Sequence, residues 1–126
     1  MLLSEYLSDI VTTINEYSKT ELIANSDISS DIRTPKIGII KGTITFINDS
    51  KLYFTEYVDS RYKIQKLSYS FQYQNEDAET IFRYDNAAHN PRLPFEEHKH
   101  LSDGSIVEAD VPDLSGILRE IINAFL

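Results

Sequence analysis

Between Lys63 and Gln74 the chain alternates strictly, with Leu67, Tyr69, Phe71 and Tyr73 on one parity and Lys66, Ser68, Ser70, Gln72 and Gln74 on the other. Side chains along a β-strand point to opposite faces with period two, so this is the pattern of a strand with one dry and one wet face. Such a strand needs neighbours to pair its backbone and a second layer to cover its apolar side.

The flanking segments supply both. From Lys36 to Ile47 the residues are mostly β-branched or aromatic, and Gly38 and Gly42 disfavour a helix interior. After the turn signal Asn48-Asp49-Ser50, the segment Lys51–Asp59 places Leu52, Phe54 and Val58 on one face and Tyr53, Thr55 and Tyr57 on the other, predicting a hairpin. Asn75-Glu76-Asp77 closes the alternating strand, and Thr80–Asp85 is a further strand in which Phe82 and Tyr84 share one face while Ile81, Arg83 and Asp85 share the opposite one. Residues 96–100 read as extended, with His98 and His100 on one side and Lys99 on the other. Between Ser18 and Thr34 the apolar residues Ile28 and Ile32 are irregularly spaced among polar ones, which fits either a polar loop or a sheet edge. Pro35 belongs in a turn.

The covering layer is read from two amphipathic segments. Leu3, Leu7, Ile10, Ile14 and Tyr17 recur at spacings of four and three, the one-face pattern of a helix. Leu114, Ile117, Leu118, Ile121, Ile122 and Phe125 give a second helix a broad apolar face, with Asp110 as its expected N-cap and Pro112 and Asp113 in its first turn. The expected fold is therefore α+β: an antiparallel four- to five-stranded meander sheet with the N-terminal and C-terminal helices packed on one face, as a single domain over residues 1–126. With 126 residues, the chain can bury a core without staples, and it has no cysteine to make one of disulfide or thiolate. No signal peptide and no run of 18 apolar residues is visible, so a soluble cytoplasmic protein without membrane association is expected.

The net charge of −8 opposes binding to nucleic acid, whose affinity is largely electrostatic, but the charge is unevenly distributed. Residues 1–31 carry 1 basic and 6 acidic side chains and residues 76–126 carry 4 and 11, whereas residues 32–75 carry 7 basic and 3 acidic. The sheet-forming middle is basic.

Chemistry-bearing residues concentrate between Arg83 and His100. This stretch holds all 3 histidines of the chain, His89, His98 and His100, with Arg83, Asp85, Asn86 and Lys99 beside them. Arg83 and Asp85 project from one face of a strand, and Ser68, Ser70 and Gln72 share that polar face. Three readings of the histidines stay open on the residues alone. His98 and His100, with His89 or a carboxylate (Asp85, Glu96 or Glu97), ligate a divalent metal. Or the histidines serve as general acid and base in a metal-free phosphodiester cleavage, with Arg83 and Lys99 stabilising charge and Tyr84 or Asp85 orienting. Or they are satisfied structurally, and the polar sheet face is a non-catalytic module that binds a protein or small ligand.

The runs Tyr69-Ser-Phe-Gln-Tyr-Gln, Ile81-Phe-Arg-Tyr-Asp-Asn-Ala-Ala-His-Asn-Pro and Pro94-Phe-Glu-Glu-His-Lys-His resemble the TumE family of small toxin components of type II toxin–antitoxin pairs. Gly42-x-x-x-Phe46-x-Asn-Asp-Ser-x-Leu52-x-Phe-x-Glu56 fits the same pattern, so the resemblance covers roughly residues 38–100. It implies a growth-inhibiting toxin with a cognate antitoxin as partner, acting through RNA, and it marks Arg83, Asp85, Asn86, His89, His98 and His100 as the shared polar set. On this reading the chain is a metal-independent ribonuclease with catalytic His89, His98, His100, Arg83 and Asp85, and with Asn86, Lys99, Tyr84 and Gln72 holding substrate. No cofactor is expected. A divalent metal at His89, His98 and His100 is the competing expectation.

Overall fold

The structure, a computed structural model, describes residues 2–87 and 95–126. The chain runs α1 (Leu3–Ser18), β1 (Ile23–Thr34), β2 (Ile37–Phe46), β3 (Lys51–Asp59), β4 (Gln65–Gln74), β5 (Thr80–Asp85), β6 (His98–Leu101), β7 (Ile106–Glu108), α2 (Leu114–Phe125). The seven strands form one antiparallel meander in sequence order. Both helices cover the same face of it. Leu3, Ile10 and Ile14 of α1 and Leu114, Ile117, Leu118 and Ile121 of α2 close over Ile40, Ile44, Phe46, Leu52, Phe54, Val58, Phe71, Tyr73 and Phe82. The α+β class and the one-sided helical layer are as expected from the sequence.

The sheet is wider than the expected four or five strands. The two additions, β1 and β7, lie at its edges, and neither carries an alternating apolar pattern. In β1 only Ile23, at its start, and Ile28, opposite Gly42, pack on the core, and Ile32 is 47% exposed. Ten backbone pairs to β2 hold this strand in place, and those pairings leave no signature in side-chain type. β7 has three residues and is fixed by the Asp103–Ser105 turn, where Gly104 takes φ +89° and the Asp103 carboxylate accepts from the Ser105 N–H at 2.8 Å. Helix α2 also starts later than the sequence predicts. Asp113, not Asp110, is the N-cap, accepting from the Gly116 N–H at 2.9 Å, and Pro112 lies just before it.

Gly42 is required by packing. A Cβ there would stand 2.3 Å from the Phe54 ring, so the absence of a side chain on β2 is what lets that ring lie flat in the core. Two polar clamps tie the helices to the sheet, Tyr6 to Glu56 (2.7 Å) with Lys66 on the other carboxylate oxygen (2.7 Å) and Tyr84 to Glu120 (2.8 Å) with Lys99 on the same carboxylate, and a third, Tyr69 to Glu97 (2.8 Å), holds the segment entering β6. Glu56 is 1% exposed, a charge in the middle of an apolar strand that only its two partners make tolerable.

A candidate active site on the open face of the sheet

Among the described residues no helix packs on the other face of the sheet, and the register places polar residues of β4, β5 and β6 on it. Ser70 stands opposite Asp85 and Gln72 opposite Arg83, while Asp85 faces His98 and Arg83 faces His100 across to β6. Directly opposed residues in an antiparallel pair point the same way, so Gln72, Arg83, Asp85, His98 and His100 converge.

Asp85 is the centre. Its Oδ2 accepts from Arg83 Nε at 2.7 Å and lies 3.4 Å from His100 Nε2; its Oδ1 lies 2.6 Å from His98 Nε2 and accepts from the Ala87 N–H at 3.1 Å. Burial pushes the Asp85 carboxyl up, but the Arg83 hydrogen bond, the Ala87 N–H and the His98 charge outweigh it and hold the group below the usual carboxylate range. It is therefore an anion at neutral pH. Arg83 is clamped a second time, from Nη1 to Gln72 Oε1 at 3.0 Å, which leaves its Nη2 without a partner among the described residues.

His98 and His100 differ in kind. His98 is fully buried, with Nδ1 2.8 Å from the Glu96 carbonyl and Nε2 on Asp85. A carbonyl only accepts, so Nδ1 carries the hydrogen between them, and Nε2 faces the Asp85 carboxylate. With both nitrogens engaged and no exposed surface, this ring cannot reach a substrate. It braces Asp85. His100 has 27% of its side chain exposed, Arg83 39%, and Phe95 and His100 flank the His98 ring. Arg83 and Asp85 open onto a depression of about 410 Å³ shared with Thr55, Ser68, Ser70 and Asn86.

The ligand atoms of Asp85, His98 and His100 all lie within 4.8 Å of one another, which makes these three the candidate cation ligands among the described residues. An ion held about 2.0–2.2 Å from each nitrogen and oxygen would require the 2.6 Å gap between Asp85 and His98 to widen, and Arg83 already occupies one carboxylate oxygen.

The structure assembles some of the residues singled out in the sequence and separates others. Arg83, Asp85, His98, His100 and Gln72 meet on the open face. Tyr84 and Lys99 do not: they project from the helix-covered face, where both bind Glu120 and anchor α2. Their position follows from parity, since each is one residue out of step with the polar row. Asn86 stands at the site's edge, but its side chain spans β4, accepting from the Tyr69 N–H (3.1 Å) and donating to the Leu67 carbonyl (3.3 Å), and so prolongs the β4–β5 ladder. His89 lies outside the described residues. Thr55 was not anticipated; the β3–β4 register, opposite Ser70, is the signal that brings it in.

A family model described as Toxin TumE matches residues 12–125. The chain belongs to the TumE family. The match spans the whole sheet, α2 and the second half of α1, beyond the segment on which the resemblance rested. No curated protein and no solved structure matches the chain. For this TumE-family chain, no helix among the described residues is long and apolar enough to cross a membrane.

Proposed function

We propose that this TumE-family chain is the toxin of a toxin–antitoxin pair and acts as a metal-independent ribonuclease at the Arg83–Asp85–His100 corner of the open sheet face. The observation that carries this reading is a single buried carboxylate, Asp85, which holds a half-exposed guanidinium and a part-exposed imidazole on one of its oxygens, with the carboxylate and the guanidinium lining an open depression. That pairing supplies what phosphodiester transfer needs: a fixed cation for the phosphorane oxygens and a group that moves protons near neutral pH.

In this mechanism the ribose 2′-hydroxyl attacks phosphorus while His100 takes its proton. The bond to the 5′-oxygen breaks, that oxygen is protonated, and a 2′,3′-cyclic phosphate is left. Arg83 Nη2 faces the developing negative charge, and Asp85, Gln72 and His98 are positioning residues. His89 is assigned the protonation of the leaving oxygen on sequence grounds alone. A cognate antitoxin in the cytoplasm is the proposed partner.

Inducible expression in a bacterium checks the reading. Growth should stop with the wild type, continue with Arg83→Ala or His100→Ala, and be restored by co-expression of the neighbouring reading frame. Growth arrest that persists in both variants at equal protein levels would contradict the catalytic assignment.

A further inference from the structure

The depression at Asp85 is not isolated. A second one of about 200 Å³, lined by Lys41, Thr43 and Tyr53 with Asp27 at its β1 side, meets it at Thr55, and a third of about 210 Å³, lined by Lys41 and Asp31, continues to Ser29. The register explains the continuity. Asp85, Ser70, Thr55, Lys41 and Ser29 form one cross-strand row, and its floor between the two charged ends is built from small hydroxyl side chains. The adjacent row, Arg83, Gln72, Tyr53 and Thr43, forms one wall.

Two features of this groove point to a ligand. The first is charge. Among the described residues Arg33, Arg61, Lys66 and Lys99 are paired with Asp31, Asp59, Glu56 and Glu120, but Lys41 has no ion pair and stands exposed in the groove. In a chain of net charge −8, Lys41 and the outer edge of Arg83 are cations left available on one shallow surface, three strand spacings across and two residues along, or about 16 Å apart. The second is the aromatic ring of Tyr53, 39% exposed between them.

Resting on the ribonuclease reading above, we propose that this groove is the track for single-stranded RNA, with backbone phosphates at Arg83 and Lys41 and a base stacked on Tyr53. An extended strand a few nucleotides long spans the distance, and sheet faces with exposed aromatic rings suit unpaired bases, whose π-faces a duplex conceals. The track stops at Lys41. Asp27 and Asp31 stand on either side of Ser29 along β1 and line the second and third depressions beside Lys41, so a phosphate carried further would meet carboxylates.

The test uses the full chain silenced by His100→Ala, with fluorescein-labelled single-stranded RNA of mixed sequence at low salt. Tyr53→Ala and Lys41→Glu on that background should each weaken binding about tenfold, Tyr53→Phe should retain it, and Lys63→Glu, the same charge change outside the groove, should have a much smaller effect. Lys41→Glu should also flatten the dependence of affinity on salt. Both positions are on the surface, so unchanged thermal melts confirm that folding is intact. RNA bound equally by Tyr53→Ala, Lys41→Glu and the parent overturns the track and leaves the RNA reading standing. A duplex bound as tightly as a single strand also overturns the track. No binding by the parent overturns both.

Discussion

Asp85 carries more of this site than any other residue, and its role has a measurable signature. Four groups lie on its two oxygens at 2.6–3.4 Å, so Asp85→Ala leaves a buried imidazole and a guanidinium without their counter-charge. Breaking a buried pair in this way typically costs about 3–5 kcal/mol. The pH dependence follows from the sign of its shift. Because the folded-state value is depressed, the native protein binds fewer protons at Asp85 than the unfolded chain, so its contribution is present above the unfolded value of about 3.9 and is lost as pH falls through the folded one. Urea unfolding of wild type and Asp85→Asn should therefore show a stability gap that is full at pH 7 and narrows below about pH 4. A gap that is constant from pH 7 to pH 3 would mean that the carboxylate is not held as an anion by its neighbours. His98 and His100 carry the matching lesson about sequence. Their shared face was legible from the i, i+2 spacing, but not that one is sealed in and the other open, because that depends on β6 lying between β5 and β7 and on Phe95 packing against the His98 ring.

At the level of elements, the strands that touch the core were legible and the strands that only pair were not. β4 announces itself because Tyr69, Phe71 and Tyr73 all point into the core, whereas β1 presents Ser26, Ile28, Ser30 and Ile32 to the same side, of which Ile28 alone is packed on it. The start of α2 was misplaced because Asp110 and Asp113 are both good caps by type. Only the bond from Gly116 N–H to Asp113 decides between them. The separation of Tyr84 and Lys99 from the site is likewise a parity effect already present in the alternation. The tightest packing constraint is Gly42, and Gly42→Ala should lower stability by about 1–3 kcal/mol, because the new methyl must displace the Phe54 ring rather than a flexible chain end. A chemical-denaturation midpoint equal to wild type would show that the ring moves aside at no cost.

Over the whole molecule, the two faces of the sheet have divided the work. The covered face holds the core and the Tyr–Glu–Lys clamps that attach both helices, and the open face holds the Arg83–Asp85–His100 corner with its groove toward Lys41. The sequence placed the basic residues in the middle of the chain. The fold shows that several are consumed by structural ion pairs, so the charge offered to a partner is smaller and more localised than the segment total suggests. The most direct test of the ribonuclease claim is cleavage of single-stranded RNA by the purified chain in the presence of a chelator, with the product ends analysed. Cleavage should be undiminished in chelator and leave 2′,3′-cyclic phosphate ends, fall about 10²–10⁴-fold in His100→Ala, and stay near the wild-type rate in Lys99→Ala. Cleavage abolished by the chelator, or RNA left intact by the wild type, would contradict it.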